Sequence, residues 1–276
     1  MSIEFSDPSD TGVNWASDEV AERWSRNQAR RDEAIGPATA MMLDLADLRT
    51  GYRVLDVAAG TGDQTLLAAQ RVGAHGFILA TDLSAAMLNV AAEAAQNTGF
   101  ANVETRVMNA QNLDLEAESF DTVVCRLGLM LFSDPRKALR EIHRVLKRGG
   151  KFAALVFSTE EKNPYQGIPF VIVSRLGGKT VPHFSLGEPG ALEEAFRAGG
   201  FQNVTVHAVS FQRHFSSVAE VIQNLRDARF IREATAKLGD AERDQAWTEI
   251  EQELSKLQSS AGIDLPGEML IGVGTK

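Results

Sequence analysis

The chain has one cysteine, Cys125, among its 276 residues. A single thiol excludes an internal disulfide and a metal site built from several cysteines, and it is typical of proteins in the reducing cytosol. Cys125 lies within an apolar segment, which favours a packing role over a reactive one. We therefore expect a cytoplasmic protein without a metal centre.

Positive charge and long apolar runs are also scarce. Lys and Arg total 28 against 37 Asp and Glu, which gives a formal net charge of −9. A general nucleic-acid binder needs a basic surface, so we expect no nucleic-acid partner. No apolar run approaches the ~20 residues of a membrane-spanning helix. The acidic start MSIEFSDPSD does not resemble a signal peptide, so we expect neither secretion nor a membrane span.

What the chain does contain is an alternation of strand and helix patterns from residue 53 to residue 158. This alternation predicts an α/β fold with a mostly parallel sheet and helices on both faces. A Pro- and Gly-rich stretch, 159–190, predicts a long connection, and the remainder predicts a short helix, a strand, at least two amphipathic helices and a closing strand. The predicted strands of the first part are 53–57, 77–81, 102–109, 120–126 and 151–158, with helices at 63–72, after Ser84, and at 135–146.

The most informative motif is VLDVAAGTGDQT, residues 54–65. Asp56 lies inside the first predicted strand, and a Gly-x-Gly turn follows at Gly60 and Gly62. A second carboxylate, Asp82, ends the next predicted strand. Glycines at a strand end let a ligand approach the backbone, and an acid at the following strand end is typical of nucleoside sites, where it binds ribose hydroxyls. The sequence therefore predicts a nucleoside-binding site at the carboxyl edge of the sheet.

The motif fits a dinucleotide site poorly. A dehydrogenase turn has a third glycine, whereas Thr65 stands at that position, and an acid inside the first strand is unusual for that class. A nicotinamide-dependent oxidoreductase is thus disfavoured but remains an alternative. A protein that binds the nucleoside without catalysis, as a sensor or assembly partner, is the other alternative.

Four segments together resemble class I S-adenosylmethionine-dependent methyltransferases, in the branch that includes quinone-biosynthesis methyltransferases. They are the motif above, ATDLSAAML (80–88), NAQNLDL (109–115), and the run from residue 120 to residue 157. The resemblance implies a Rossmann-like, seven-stranded sheet whose last strand is antiparallel and lies between strands 5 and 6. It also implies one domain over 1–276, with an N-terminal helical cap (1–50), a cofactor-binding core (51–158) and a substrate-side half (159–276). A helical insertion at about 216–262 would form a lid over the cofactor.

The resemblance also implies which residues bind S-adenosylmethionine. Asp56 and the glycine turn would surround its methionine end, and Asp82 would bind both ribose hydroxyls. Leu83 and Met87 would flank the adenine, whose amine and N1 would bond to the amides that replace the family's usual acids. Arg126, at the end of strand 4, would contact cofactor or substrate. The complete expected cofactor set is Asp56, Ala58, Ala59, Gly60, Thr61, Gly62, Gln64, Asp82, Leu83, Met87, Asn109, Ala110, Gln111 and Arg126.

The expected acceptor is a small, largely apolar molecule, with a phenolic or quinol ring favoured and its oxygen, carbon or nitrogen as the methyl acceptor. Met130 and Phe132 follow strand 4 and are expected to line the acceptor pocket. Tyr165 and His183 lie in segments where the family places substrate-facing residues, and His183 is our candidate general base. His143 and Trp247 are expected to be packing residues. A homodimer through the helical insertion is a further hypothesis.

Overall fold

A computed structural model describes residues 28–180 and 182–276. Residues 1–27, more than half of the expected N-terminal cap, lie outside the described residues. The described helices are α1 (Gln28–Leu45), α2 (Asp63–Val72), α3 (Ala85–Asn97), α4 (Pro135–Val145), α5 (Pro164–Arg175), α6 (Ala191–Ala198), α7 (Val218–Asp227), α8 (Arg229–Ala236) and α9 (Asp240–Ser255). The strands are β1 (Arg53–Val57), β2 (Phe77–Asp82), β3 (Val103–Val107), β4 (Phe120–Arg126), β5 (Leu146–Phe157), β6 (Gln202–Phe215), β7 (Gln258–Ser259) and β8 (Gly262–Thr275).

The strands form one sheet with the order β3-β2-β1-β4-β5-β8-β6, and the short β7 pairs with β8. Strands β1 to β5 are mutually parallel. β8 is antiparallel to both of its neighbours, β5 and β6. This order confirms the expected Rossmann-like sheet, with its antiparallel last strand inserted between strands 5 and 6. It also brings the carboxyl ends of β1, β2 and β4 to one edge of the sheet.

Two apolar clusters stabilise the chain. The main one lies on the sheet and includes Leu55, Val124 and Leu155 from its central strands, all with no solvent exposure. Helices α1, α2 and α3 contact one another against the sheet, and α4 and α6 form a second packed pair. The other cluster joins α5, α7, α8, α9 and the start of β8. Central strands buried on both faces explain why their sequences are continuously apolar.

Several predicted boundaries agree with the structure and others do not. The bounds of β1, α2 and β4 are as predicted, whereas β3 is shorter and β6 and β8 are longer. Residues 159–190 were expected to be a connection, but they contain helix α5. Pro164 is compatible with this helix because it occupies the first turn, where an amide hydrogen has no helical partner. Gly149 and Gly150 were expected to precede β5, but they lie inside it, next to a register shift against β4.

The ends of β6 and β8 extend past the rest of the sheet. The last residue of β5, Phe157, pairs with Met269, yet β8 begins at Gly262 and keeps pairing with β6 over that extra length. Helices α7 to α9 connect β6 to β8 at this end. The extension therefore carries the helices to the carboxyl edge, where the predicted ligand site lies. No helix in the described part of the chain is long and apolar enough to cross a membrane.

Candidate functional site

The loops at the carboxyl edge contain unusual backbone conformations. Ala58 after β1 and Leu127 after β4 both have positive φ, 56° and 59°, although neither is a glycine. Gly60 and Gly62 continue the first loop with φ of 57° and 87°. Non-glycine residues adopt this region at an energetic cost, and they cluster in loops that serve ligands. The two neighbouring strands thus end in sharply turned loops on the same edge.

Asp82 binds the backbone of the loop after β1 and of its own loop after β2. Its Oδ2 accepts from the Gly60 amide at 2.9 Å, and its Oδ1 accepts from the Ser84 amide at 2.9 Å. Burial raises the pKa of Asp82, while the amides of Ser84, Gly60 and Leu83 lower it in part. A carboxylate has about four acceptor positions, so Asp82 retains capacity for a ligand hydroxyl. Asp82 is therefore a fixed acceptor beside the glycine turn, with a geometry that suits a ribose diol.

Asp56 is more deeply buried and faces the protein. Its Oδ1 accepts from Gln64 Nε2 at 2.7 Å, and its Oδ2 is 2.5 Å from the Thr65 hydroxyl. All three side chains are almost completely inaccessible to solvent. Burial raises the pKa of Asp56 to about 7, although the hydrogen bonds from Thr65 and Gln64 act to lower it. Asp56 and Gln64 thus tie β1 to the first turn of α2, and Thr65 uses its hydroxyl where a dinucleotide turn would have glycine.

Two glycines allow loops to approach each other closely. A Cβ at Gly62 would lie 2.8 Å from the Ala91 Cβ on α3, so this glycine permits packing between α2 and α3. A Cβ at Gly128 would lie 2.5 Å from the Ala58 Cβ, so this glycine brings the loop after β4 against the loop after β1. The role of Gly128 was not predicted, although a glycine two residues beyond a strand end is a usable signal.

Arg126 and Asp63 form a buried ion pair, with 2.9 Å between Nη2 and Oδ2 and side chains only 5% and 3% exposed. Arg126 also donates through Nη1 to the Thr39 hydroxyl on α1, 3.3 Å away. The Thr61 hydroxyl lies 3.3 Å from Asp63 Oδ1, within the glycine turn. Arg126 was expected at the cofactor and does lie at this edge, but it binds protein groups. Asp63 and Thr39 were not predicted as its partners, because their separation along the chain gives no pairing signal.

The side-chain amides after β3 form hydrogen bonds with protein groups. Gln111 Oε1 accepts from the Asp134 amide at 2.8 Å and from the Ser133 hydroxyl at 3.0 Å. Both acceptor positions of that oxygen are therefore filled, so a bond from an adenine amine to Gln111 Oε1 would have to displace one of these two donors. Asn109 Oδ1 accepts from the Gln111 amide at 2.9 Å. Asn109 itself is exposed at the edge, while Ala110 is buried beneath it.

The expected adenine-flanking residues have different exposures. Leu83 is 47% exposed beside Asp82, so its side chain is accessible to a ligand at the carboxyl edge. Met87 lies in the first turn of α3, and its side chain is buried, with 3% exposure. Its backbone amide donates to the capping hydroxyl of Ser84. Ala59 is buried and donates its amide to the carbonyl of Thr81, which joins the glycine loop to β2.

The expected acceptor residues lie on two sides of a largely apolar region. Met130 is buried in the main core, and its carbonyl accepts from the Ser185 hydroxyl at 3.2 Å. Phe132 is half-buried, and its ring lies near Gly128 and the first loop. Tyr165 lies on α5, where its ring stacks on that of Phe215 with 5.8 Å between centroids.

His183 lies in a turn that follows α5, whereas the sequence indicated one loop between β5 and the next helix. Its side chain is 4% exposed and lies among four aromatic rings. The closest is Phe230, edge-on at 4.3 Å between centroids. These rings come from β5, α5, α8 and the turn itself, so His183 stands where the main core meets the helices that follow β6. The other three rings are those of Phe157, Phe170 and Phe184.

The residues that were expected to have packing roles lie in packed positions. Cys125 is completely buried, and burial raises the pKa of its thiol to about 12. His143 packs edge-on against Phe201, and Trp247 is 8% exposed in the cluster that joins α5 to α9. Leu257, beyond the end of α9, is 45% exposed. Across residues 28–180 and 182–276, no group of three or more His, Cys, Asp or Glu side chains could hold a metal ion.

Comparison with known proteins gives one family. The model of the ubiE/COQ5 methyltransferase family matches residues 39–177. The ubiquinone/menaquinone biosynthesis C-methyltransferase UbiE of Cronobacter sakazakii is 36% identical over 140 residues, or 49% of this chain and 56% of that protein. Its counterpart in Pseudoalteromonas translucida is 40% identical over 115 residues, covering 41% and 46%. The chain thus spans about half the length of the curated relatives it matches.

A solved structure extends the similarity of fold beyond the family match. The YcgJ protein of Bacillus subtilis superposes with a TM-score of 0.62 at 23% identity, covering 87% of this chain and 98% of its own. At that identity the comparison supports the fold alone. The family match, by contrast, runs from within α1 through α5 and so contains the loops at the carboxyl edge, but it ends before α7 to α9.

Proposed function

Because the chain belongs to the ubiE/COQ5 methyltransferase family, we propose that it transfers the methyl group of S-adenosylmethionine to a small, largely apolar acceptor. The observation that carries this proposal is Asp82, whose carboxylate is fixed between the Gly60 and Ser84 amides beside the exposed Leu83. A carboxylate held in this way can accept hydrogen bonds from the hydroxyls of a diol. Asp82 and the glycine turn therefore fit the ribose of the cofactor.

The bound cofactor would supply an activated sulfonium methyl group, so the protein's own tasks are alignment and exclusion of water. The glycine turn is fixed for alignment by the bonds of Asp56 to Gln64 and Thr65 and by the pair of Asp63 with Arg126. The aromatic rings around His183 and the helices after β6 favour a dry acceptor pocket. Correct positioning of two reactants lowers barriers by about 7–11 kcal/mol.

For the acceptor we propose a ring carbon of a phenolic or quinol compound. The relatives named above are C-methyltransferases of quinone biosynthesis, and the rings near His183 suit a planar, apolar acceptor. His183 is the proposed base for the proton that the acceptor loses. A homodimer and the closing role of α7 to α9 remain predictions.

The two alternatives make different predictions. A nicotinamide-dependent enzyme would bind NADH in preference to S-adenosylhomocysteine and would change absorbance at the nicotinamide band with substrate. Thr65, whose hydroxyl bonds to Asp56, occupies the position where that class needs glycine. A sensor or assembly partner would bind S-adenosylmethionine and leave it unchanged with every acceptor offered.

A turnover assay tests the proposal. The purified chain is incubated with S-adenosylmethionine carrying an isotopically labelled methyl group and with phenols, quinols and amines of similar size. We expect release of S-adenosylhomocysteine only when a phenol or quinol is present, and the labelled product's NMR spectrum should place the methyl on carbon. A label on oxygen or nitrogen would correct the acceptor atom, whereas no release with any acceptor would contradict the proposed activity.

A further inference from the structure

Arg213 lies on the part of β6 that extends beyond the rest of the sheet. It pairs with Leu265 on β8, four residues before Met269, which pairs with the end of β5. At ~3.3 Å per residue, Arg213 therefore stands about 13 Å beyond the end of β5, on the side of the ligand loops. Along β6 its side chain shares a face with Val209 and Phe211, which pack against the main core.

The guanidinium of Arg213 is held between aromatic rings. Its central carbon lies 4.6 Å from the centroid of Tyr165 and 5.2 Å from that of Phe211. The Phe211 ring lies against Gly267 on β8, where a Cβ would be only 2.1 Å from the ring. Gly267 thus leaves room for the Phe211 ring against the strand beside Arg213. The other ring, Tyr165, is itself stacked on Phe215.

No acidic side chain in the described residues balances the charge of Arg213. The nearby acids on β8 are engaged elsewhere, Asp264 with His214 and Glu268 with Ser158 and Lys162. Burial lowers the pKa of Arg213, but arginine remains protonated at neutral pH. A half-buried cation without an anion costs free energy that two aromatic rings offset only in part. Arg126, the other buried arginine near this edge, has Asp63 as its counter-ion.

We propose that Arg213 binds an anionic oxygen on the aromatic ring of the acceptor, a phenolate or a carboxylate. This inference rests on the proposed function, since it treats the space beside Tyr165 as the acceptor pocket. A planar guanidinium can pair with a carboxylate or phenolate in its own plane while aromatic rings cover its faces. A phenolate oxygen would also raise electron density at the ring carbons ortho and para to it, which favours methyl transfer to carbon; a carboxylate would contribute to binding only. Arg213 would then select ionisable aromatic acceptors over neutral ones of equal size.

Three planar probes of similar shape test this selection: 2-naphthoate, 2-naphthol and the neutral 2-naphthamide. Their dissociation constants are measured by calorimetry with and without saturating S-adenosylhomocysteine. We expect wild-type protein to bind 2-naphthoate, ionised 2-naphthol or both at least about tenfold more tightly than the amide, as a desolvated charge pair requires. Tight 2-naphthoate alone identifies a carboxylate. A phenolate spectrum for bound 2-naphthol at a pH below its solution pKa identifies a phenolate.

The decisive variant is Arg213→Gln, and Arg213→Lys retains the charge without the planar fork. The glutamine variant should lose the preference for the anions while its affinity for the amide changes less than about twofold, and lysine should retain part of the preference. Arg106→Gln is the matched control, because Arg106 is exposed on β3 at the other end of the sheet. Thermal unfolding of each variant verifies that it folds.

Equal binding of all three probes by wild-type protein would overturn the inference, and so would a preference for anions that survives in Arg213→Gln. A structural role for Arg213 would weaken binding of the acid and the amide alike, so the ratio of the two affinities separates the explanations. Failure of the proposed function has a different signature. In that case S-adenosylhomocysteine would not bind, whereas the titrations without it would still report on the charge selection by Arg213.

Discussion

Arg126 at the end of β4 and Asp63 at the start of α2 form a buried ion pair, with 2.9 Å between Nη2 and Oδ2. The same guanidinium reaches Thr39 on α1, so one side chain joins three elements. Because α2 begins directly after the glycine turn, the pair sets the position of that turn relative to β4 and α1. The candidate cofactor loop is thereby fixed by charge as well as by packing.

Asp63→Asn should therefore destabilise the protein strongly. The change leaves the Arg126 charge buried without its counter-ion, which typically lowers the free energy of unfolding by about 3–5 kcal/mol. The double variant Asp63→Asn with Arg126→Met should recover much of that loss, and urea unfolding measures both. Glu118→Gln is the control, because Glu118 is 49% exposed between Arg148 and Lys276, and exposed ion pairs contribute about 0–1 kcal/mol. Equal effects of Asp63→Asn and Glu118→Gln would refute this account of the pair.

The buried Asp56 should make stability depend on pH. Its pKa is raised to about 7 in the folded protein, so between its ordinary value of 3.8 and 7 the folded state holds a proton that the unfolded chain has released. The contribution of Asp56 to stability is therefore present at acid pH and is lost as the pH rises toward 7. Asp56→Asn removes this loss while preserving shape.

The advantage of Asp56→Asn over wild type should thus grow from pH 5 to pH 7, by at most about 1.4 kcal/mol per pH unit, and then level off. Urea unfolding at a series of pH values measures it. Asp47→Asn provides the contrast, because the Asp47 side chain is 41% exposed and its hydrogen bond with Arg49 lowers its pKa. A difference between Asp56→Asn and wild type that does not change with pH would show that Asp56 is not the titrating group.

Gly62→Ala should disturb both the backbone and the contact with α3. Gly62 has φ of +87°, and its Cβ would lie 2.8 Å from that of Ala91. Gly99→Ala is the matched control, because Gly99 has φ of +78° with open space around it. We expect about 1 kcal/mol of destabilisation for Gly99→Ala from backbone strain alone. Gly62→Ala should cost about 1–3 kcal/mol more than Gly99→Ala because of overpacking. Thermal unfolding measures both losses of stability, and equal losses would show that Gly62 has no packing role.

His183→Phe tests the proposed base without emptying its position. The ring is surrounded by Phe157, Phe170, Phe184 and Phe230, so phenylalanine should fit and preserve the fold. We expect turnover to fall about 100-fold, a typical contribution of a general base, with unchanged affinity for S-adenosylhomocysteine. Phe170→Leu serves as a packing control. Wild-type turnover in His183→Phe would leave His183 with a packing role only.

Local signals in the sequence predicted the sheet and the loops at its carboxyl edge well. Apolar runs, the Gly62 turn and the Asp134-Pro135 helix start are short-range features, and the bounds of β1, α2 and β4 follow from them. Helix α5 was missed because Pro164 and Pro169 suggest a break. The structure places Pro164 in the first turn, and Asn163 bonds to the carbonyls of Thr159 and Glu268, which links the start of α5 to β8.

The finer features of the site depend on contacts between distant residues. Gln111 was expected to accept from the cofactor, yet the loop before α4 provides the Asp134 amide that fills its oxygen. Arg126 could be placed at the edge, but its pairing with Asp63 and Thr39 is set by how three elements pack. Arg213 lies in a strand of alternating exposure, where no local pattern distinguishes it from a surface arginine. That it has no acidic partner among the described residues becomes evident only when β6, β8 and α5 lie together.

A calorimetric titration of S-adenosylhomocysteine into wild-type protein and Asp82→Ala tests the central claim most directly. We expect wild-type protein to bind it and Asp82→Ala to bind about 1–3 kcal/mol more weakly, since ribose hydroxyls would lose their acceptor. Asp134→Ala, which removes the helix-capping carboxylate of α4, should leave affinity unchanged. No heat of binding with wild-type protein, together with tight binding of NADH, would contradict the account.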